Sequence, residues 1–228
     1  MILILLVFMG IGFIVQMQLK RRFDKYGKMA LANGLSGKEI AEKMLADHHI
    51  HDVRVISVPG KLTDHYNPMD KTVNLSPEVY GGRSVSAAAV AAHECGHAVQ
   101  HATAYSWLQF RSTLVPVVSF SARAMNILFI LMLLGSLVAK MFPLDTVFLL
   151  LIVFQAAITL FSVVTLPVEY DASNRALAWL ENTGMTLPQE HDKAADALKW
   201  AARTYLVAAL ASITQLVYYI MLYLGNRD

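Results

Sequence analysis

Charge is scarce in this sequence, and cysteine is nearly absent. Asp, Glu, Lys and Arg make up 16% of its 228 residues, against about 25% in an ordinary soluble domain. The hydrophobic share is 56% and the mean hydropathy +0.46. Both point away from a soluble globule and towards the bilayer. The formal net charge is only +2, and no basic stripe interleaved with aromatics occurs, which excludes nucleic acid as a partner. The lone cysteine, Cys95, rules out an intramolecular disulfide. Internal repeats, low-complexity tracts and flexible linkers are also missing. The first apolar run has no positive charge before it and no small-residue cleavage site after it. It is therefore expected to be a retained anchor, not a cleaved signal peptide.

Long apolar runs are what the sequence does contain. Four approach or reach the ~20 residues a helix needs to cross a bilayer core. The first is "MILILLVFMGIGFIVQMQL", residues 1–19. The second is "AMNILFILMLLGSLVA", 124–139, extended backwards through "LVPVVSFSA" at 114–122, with Arg123 interrupting. The third is 146–167 and the fourth 205–225. Such spans divide the chain into an anchor (1–19), a polar portion (20–113), two spans (114–167), a second polar stretch (168–204) and a last span (205–225). Both polar stretches then face the same side. That side carries Lys20, Arg21, Arg22, Lys25, Lys28, Arg111, Lys199 and Arg203, and the other only Lys140 and Arg227. Positive residues near spans favour the cytoplasm, so the polar portions are expected on the cytoplasmic side of the cell membrane. A free thiol suits that compartment. Arg123, Asn126, Gln155 and Gln215, in or near spans, are expected to make interhelical hydrogen bonds.

Within the polar portion, Ser36 and Glu39 have capping-box spacing and open a helix with Ile40, Met44 and Leu45 on its apolar face. "HDVRVISVPG" reads as a strand, and "KLTDHYNPMDKTVNLSPEVY" as a hairpin-like unit turning at "NPMD", with "KTVNLS" a half-buried strand. Ser84 or Ser86 caps an alanine-rich helix beginning near Val85.

That helix carries "HECGH", residues 93–97. In H-E-x-x-H the two histidines, four residues apart, lie on one helix face and can share a zinc ion. The glutamate lies about 100° round the helix. From there it reaches a water on the metal, not the metal itself, and can act as general base. His93 and His97 are thus candidate zinc ligands and Glu94 the candidate base. His101 extends the series, but on a continuous helix it lies about 12 Å along the axis from His93. No glycine lies between His97 and His101 to break the helix. His101 is therefore expected to stand beside the site or at the surface. Gly96 weakens the helix but permits a close contact. The third ligand is expected to be Glu169 in "LPVEYDASNRALAWL", which follows the third span and so returns to the same face; Asp171 is the runner-up. Pro167 is read as a helix boundary, with a new helix starting after it.

The stretches "GKLTDHYNPMDKTVNLSPEVY", "SVSAAAVAAHECGHAVQHA" and "TLPVEYDASNRAL", together with the four spans, resemble the small bacterial family of neutral, YugP-like zinc metallopeptidases, of gluzincin type. The resemblance implies a zinc-dependent peptidase with His93, His97 and Glu169 as ligands and Glu94 as base. It also implies that "KTVNLS" is an edge strand beside the cleft, able to pair with an extended substrate. Broader relatives carry an aspartate four residues after the ligand glutamate, orienting a ligand histidine. Here that position is Ser173, so Asp171, Ser173 or Asn174 is expected to take the orienting role. His65 is a candidate for lining the cleft and stabilising an oxyanion. The fold expected is mostly α: a multi-pass helical membrane protein with a zincin-like α+β metallopeptidase portion. The function expected is zinc-dependent endoproteolysis of membrane or membrane-proximal proteins. A zinc-binding membrane protein without proteolysis, a metal sensor or assembly factor, is the alternative. The sequence does not speak to oligomeric state.

Overall fold

The structure is a computed structural model that describes residues 2–133 and 143–225. The expected tail of the second span (134–139), the start of the turn after it, and the final three residues lie outside the described residues. In chain order the elements are α1 (Ile2–Tyr26), α2 (Gly37–Asp47), β1 (Arg54–Ser57), β2 (His65–Asn67), β3 (Thr72–Leu75), α3 (Pro77–Tyr80), α4 (Val85–Ala102), α5 (Ser106–Leu133), α6 (Leu144–Asn182) and α7 (Pro188–Gly225). Among the described residues, four helices are long and apolar enough to cross a membrane: Ile4–Tyr26, Ser106–Met132, Asp145–Asn182 and Pro188–Gly225. A mostly helical chain with a small three-stranded sheet is the fold class expected from the sequence.

The chain divides into two compact units. One comprises 1–13, 109–166 and 205–228. Its core is small: Met125, Val147, Leu151 and Tyr219. Large apolar side chains such as Phe13, Phe120 and Met221 stand exposed, as suits helices in lipid rather than water. Polar groups inside this unit find partners. Gln155 Nε2 donates to the Ser212 carbonyl at 3.2 Å, and Thr159 Oγ1 donates to the same oxygen at 3.0 Å. That is the interhelical bonding expected of Gln155. Gln215 instead bonds Tyr219 Oη within its own helix, and Arg123 and Asn126 are exposed.

The other unit comprises 14–108 and 167–204. α4 forms its centre. An alanine-rich helix apolar on nearly every face can be covered all round, and Val85 to Gln100 are buried except Val90 and His93. Ile40, Met44 and Leu45 of α2 pack with Val73 and Leu75 of β3 and with α4 in one core. The capping box forms as expected: Glu39 N–H donates to Ser36 Oγ, and the Ser36 N–H donates to the Glu39 carboxylate. Ser84 caps α4 by accepting from the Ala87 N–H.

The strand order is β1-β3-β2. β2 and β3 form the antiparallel hairpin, with Tyr66 opposite Val73, and β1 runs parallel to β3. This overturns the expectation that "KTVNLS" is an edge strand. β3 is central, and all four of its residues are buried; β1 and β2 are the edges. A second correction concerns Pro167, which lies inside α6 and ends nothing. Proline costs one helical hydrogen bond, whereas breaking an apolar helix would leave several backbone groups unsatisfied. Val164, Thr165, Val168 and Glu169 around it are buried, where no water would bond the freed groups. α7 is likewise one helix from the polar 188–204 stretch into the last apolar run.

Candidate metal centre

α4 presents His93, Glu94 and His97, and α6 presents Glu169. Glu169 Oε2 stands 3.4 Å from His93 Nε2 and 3.5 Å from His97 Nε2. Ligands at zinc bond lengths round a tetrahedral ion lie roughly 3.3 Å apart, so both distances match an edge of that tetrahedron. The three donor atoms all lie within 4.8 Å of one another. The imidazoles meet edge to face, at 83° with centroids 4.8 Å apart. Two imidazole nitrogens and a carboxylate are a donor set that suits zinc.

The helices can approach closely because position 96 is glycine. A Cβ there would lie 2.5 Å from the Ala172 carbonyl oxygen. The approach brings Ser173 to the far side of His93, where Ser173 Oγ and His93 Nδ1 are 3.1 Å apart. His97 Nδ1 is 3.0 Å from Gln100 Oε1. Both Nδ1 atoms are therefore engaged away from the donor cluster, which leaves the Nε2 atoms to face Glu169.

Glu94 is buried at 8% exposure. Its Oε2 accepts the backbone N–H of Tyr66 at 3.0 Å, so edge strand β2 holds the carboxylate in place. Burial pushes the Glu94 carboxyl above the ordinary carboxylate range; His93 and His97 oppose this, while the charges of Glu169 and Asp64 add to it. A carboxylate made more basic by its surroundings is a better proton acceptor near neutral pH.

The other residues singled out from the sequence are not among the donors. His101 is exposed, with Nδ1 2.8 Å from Tyr66 Oη. Asp171 accepts from Gln100 Nε2 at 2.8 Å and Arg175 Nε at 2.6 Å. His65 is exposed, its ring 2.8 Å from the Thr63 carbonyl. None of the three joins the donor cluster, which among the described residues comprises His93, His97 and Glu169. Three participants escaped the sequence reading. Gln100 sits three residues after His97 on the same helix face, a spacing that could have flagged it. The Tyr66 N–H is a backbone group and leaves no such signal. Asp64, half-buried and accepting from the Ser76 N–H and hydroxyl, lies before the turn at "NPMD" and has no spacing that marks it.

A family model described as "Putative neutral zinc metallopeptidase" matches residues 1–224. The chain belongs to this zinc metallopeptidase family. The chain is also 40% identical, over 221 residues, to the "Putative membrane protease YugP" of Bacillus subtilis (strain 168). That match covers 96% of this chain and 95% of the relative. No solved structure matches the chain. For a zinc metallopeptidase family member, the His93–His97–Glu169 cluster is the candidate metal site on geometric grounds. The resemblance read from the sequence is thus the family found, and zinc is its cofactor.

Proposed function

We propose that this chain is an integral-membrane zinc endopeptidase that hydrolyses peptide bonds of membrane or membrane-proximal proteins at the cytoplasmic face. His93, His97 and Glu169 hold the metal and Glu94 is the general base. The arrangement of Glu94 carries the reading: a buried carboxylate, immediately after a ligand and oriented by a strand N–H. A site built only to hold zinc has no use for that carboxylate, whose burial is costly. Zinc in this site would supply a Lewis acid that acidifies water and polarises a carbonyl. The residues do the rest. Glu94 takes the proton of the attacking water and passes it to the leaving amine. The Tyr66 N–H keeps the carboxylate in place. Ser173 and Gln100 hold the imidazoles in orientation.

The deciding comparison is wild type against Glu94→Gln, purified as the full chain in detergent. Zinc content by metal analysis stays at wild-type level. Cleavage of casein or of a membrane-protein substrate falls by about two to four orders of magnitude, the usual contribution of a positioned base. A non-proteolytic zinc protein would cleave in neither form. Equal cleavage by both forms would sink the role of Glu94.

A further inference from the structure

We infer that Gln100 is a positioning residue that fixes the tautomer of His97 and ties that ring to the backbone beside Glu169; the inference rests on the zinc site proposed above. Gln100 is fully buried. Its Nε2 lies 2.7 Å from the Val168 carbonyl oxygen and 2.8 Å from Asp171 Oδ2, and its Oε1 lies 3.0 Å from His97 Nδ1. The direction of each bond follows from what the partners can do. A backbone carbonyl only accepts. Asp171 receives Arg175 Nε at 2.6 Å and is an acceptor too. Two acceptors on one side require the amide NH2 group there. The amide oxygen must then face His97, and since it too only accepts, the proton sits on His97 Nδ1. In a neutral imidazole the lone pair is then on Nε2, the nitrogen 3.5 Å from Glu169.

The same amide has a second effect. The Val168 carbonyl belongs to the peptide that joins Val168 to Glu169. One buried side chain on α4 is thereby bonded to the ring of one proposed ligand and to the peptide of another. Among the described residues, no comparable constraint acts on His93. Its partner Ser173 is a hydroxyl, which can donate or accept, so His93 keeps a choice of tautomer that His97 lacks. The network continues outward through Arg175, which stacks over the Tyr105 ring at 5.6 Å.

Two variants test this in the full chain. Gln100→Leu keeps a side chain of similar bulk and removes every side-chain polar bond. Gln100→Glu keeps an acceptor towards His97 Nδ1 and loses the donors to Val168 and Asp171. Zinc affinity is measured by chelator competition, and the His97 tautomer by nitrogen-15 NMR of histidine-labelled, metal-free protein above the histidine titration range. Wild type is expected to show the proton on Nδ1. Gln100→Leu is expected to lose that preference and to bind zinc about ten- to a hundredfold more weakly, the usual effect of removing an outer partner. Gln100→Glu is expected to keep the tautomer and recover part of the affinity. A wild-type His97 protonated on Nε2 overturns the inference, as does a folded Gln100→Leu protein that holds zinc as tightly as wild type. If Gln100→Leu fails to fold, the wild-type tautomer decides alone. Failure of the underlying zinc site looks different: Glu169→Ala would then bind zinc as wild type does.

Discussion

Gly96 lies against the backbone of Ala172, so close that a methyl group on it would meet the Ala172 carbonyl oxygen at 2.5 Å and the Ala172 Cα and carbonyl carbon at 3.1 Å. The contact joins the HExxH helix to the helix that carries Glu169 and Ser173. At an exposed helix position Gly→Ala gains about 1 kcal/mol of propensity. Here the colliding atoms are backbone and cannot rotate aside, and overpacking costs about 1–3 kcal/mol, so the net effect is destabilising. Gly96→Ala is expected to melt below wild type and to retain less zinc after dialysis, because the shift falls on the Glu169 side of the site. A variant that melts higher and keeps its zinc would show that the close approach has no part in holding the site together.

Glu169 and His101 make opposite predictions. Glu169 Oε2 sits within 3.5 Å of both imidazole Nε2 atoms, while His101 is engaged with Tyr66 Oη at the surface. Glu169→Ala is expected to lose stoichiometric zinc and His101→Ala to keep it, with metal analysis of the purified proteins as the measurement. The reverse pattern would make the three histidines the ligand set and remove α6 from the site.

The difference between these two residues also shows what a sequence can and cannot display. The pairing of His93 with His97, and the distance of His101 from His93, follow from helix rise and repeat alone, which are local. Glu169 was reachable only through topology, by counting crossings until the chain returned to one face. The position of β3 was not legible. Alternation in "KTVNLS" marks a strand, but strand neighbours are set by distant segments, and the resemblance placed at the edge a strand that lies in the centre. Pro167 misled for a related reason. The local rule that proline ends helices is correct for an isolated helix in water, but here Val164, Val168 and Glu169 are buried, and a break would leave backbone groups without water to bond. The Tyr66 N–H that holds Glu94 had no sequence signature, since every residue but proline has one.

The cytoplasmic placement of the site rests on charge alone and can be tested separately. Eight lysines and arginines flank the spans on the side of the two polar stretches: Lys20, Arg21, Arg22, Lys25, Lys28, Arg111, Lys199 and Arg203. Only Lys140 and Arg227 are assigned to the other side. A phosphatase reporter, active only outside the cytoplasm, fused after residue 228 is expected to be active, and a fluorescent reporter that folds only in the cytoplasm is expected to be dark there. Swapped signals would place the HExxH helix on the outer face.

Asp64 gives the stability of the fold a pH dependence of predictable sign. Burial raises its carboxyl above the usual aspartate value, and bonds from Ser76 only partly offset this. A group whose pKa is raised by folding favours the folded state most when protonated. Its contribution is complete below the unfolded value of about 3.9 and is lost as pH rises through the folded value. Asp64→Asn keeps a side-chain oxygen that can accept from Ser76 and cannot ionise. Relative to wild type it is therefore expected to gain stability between about pH 4 and pH 7. The measurement is the difference in melting temperature between the two metal-free proteins across that range, taken metal-free so that zinc binding does not add its own pH dependence. A difference that stays flat would mean that Asp64 titrates alike in both states. A difference that moves the other way would mean that the Ser76 bonds outweigh burial.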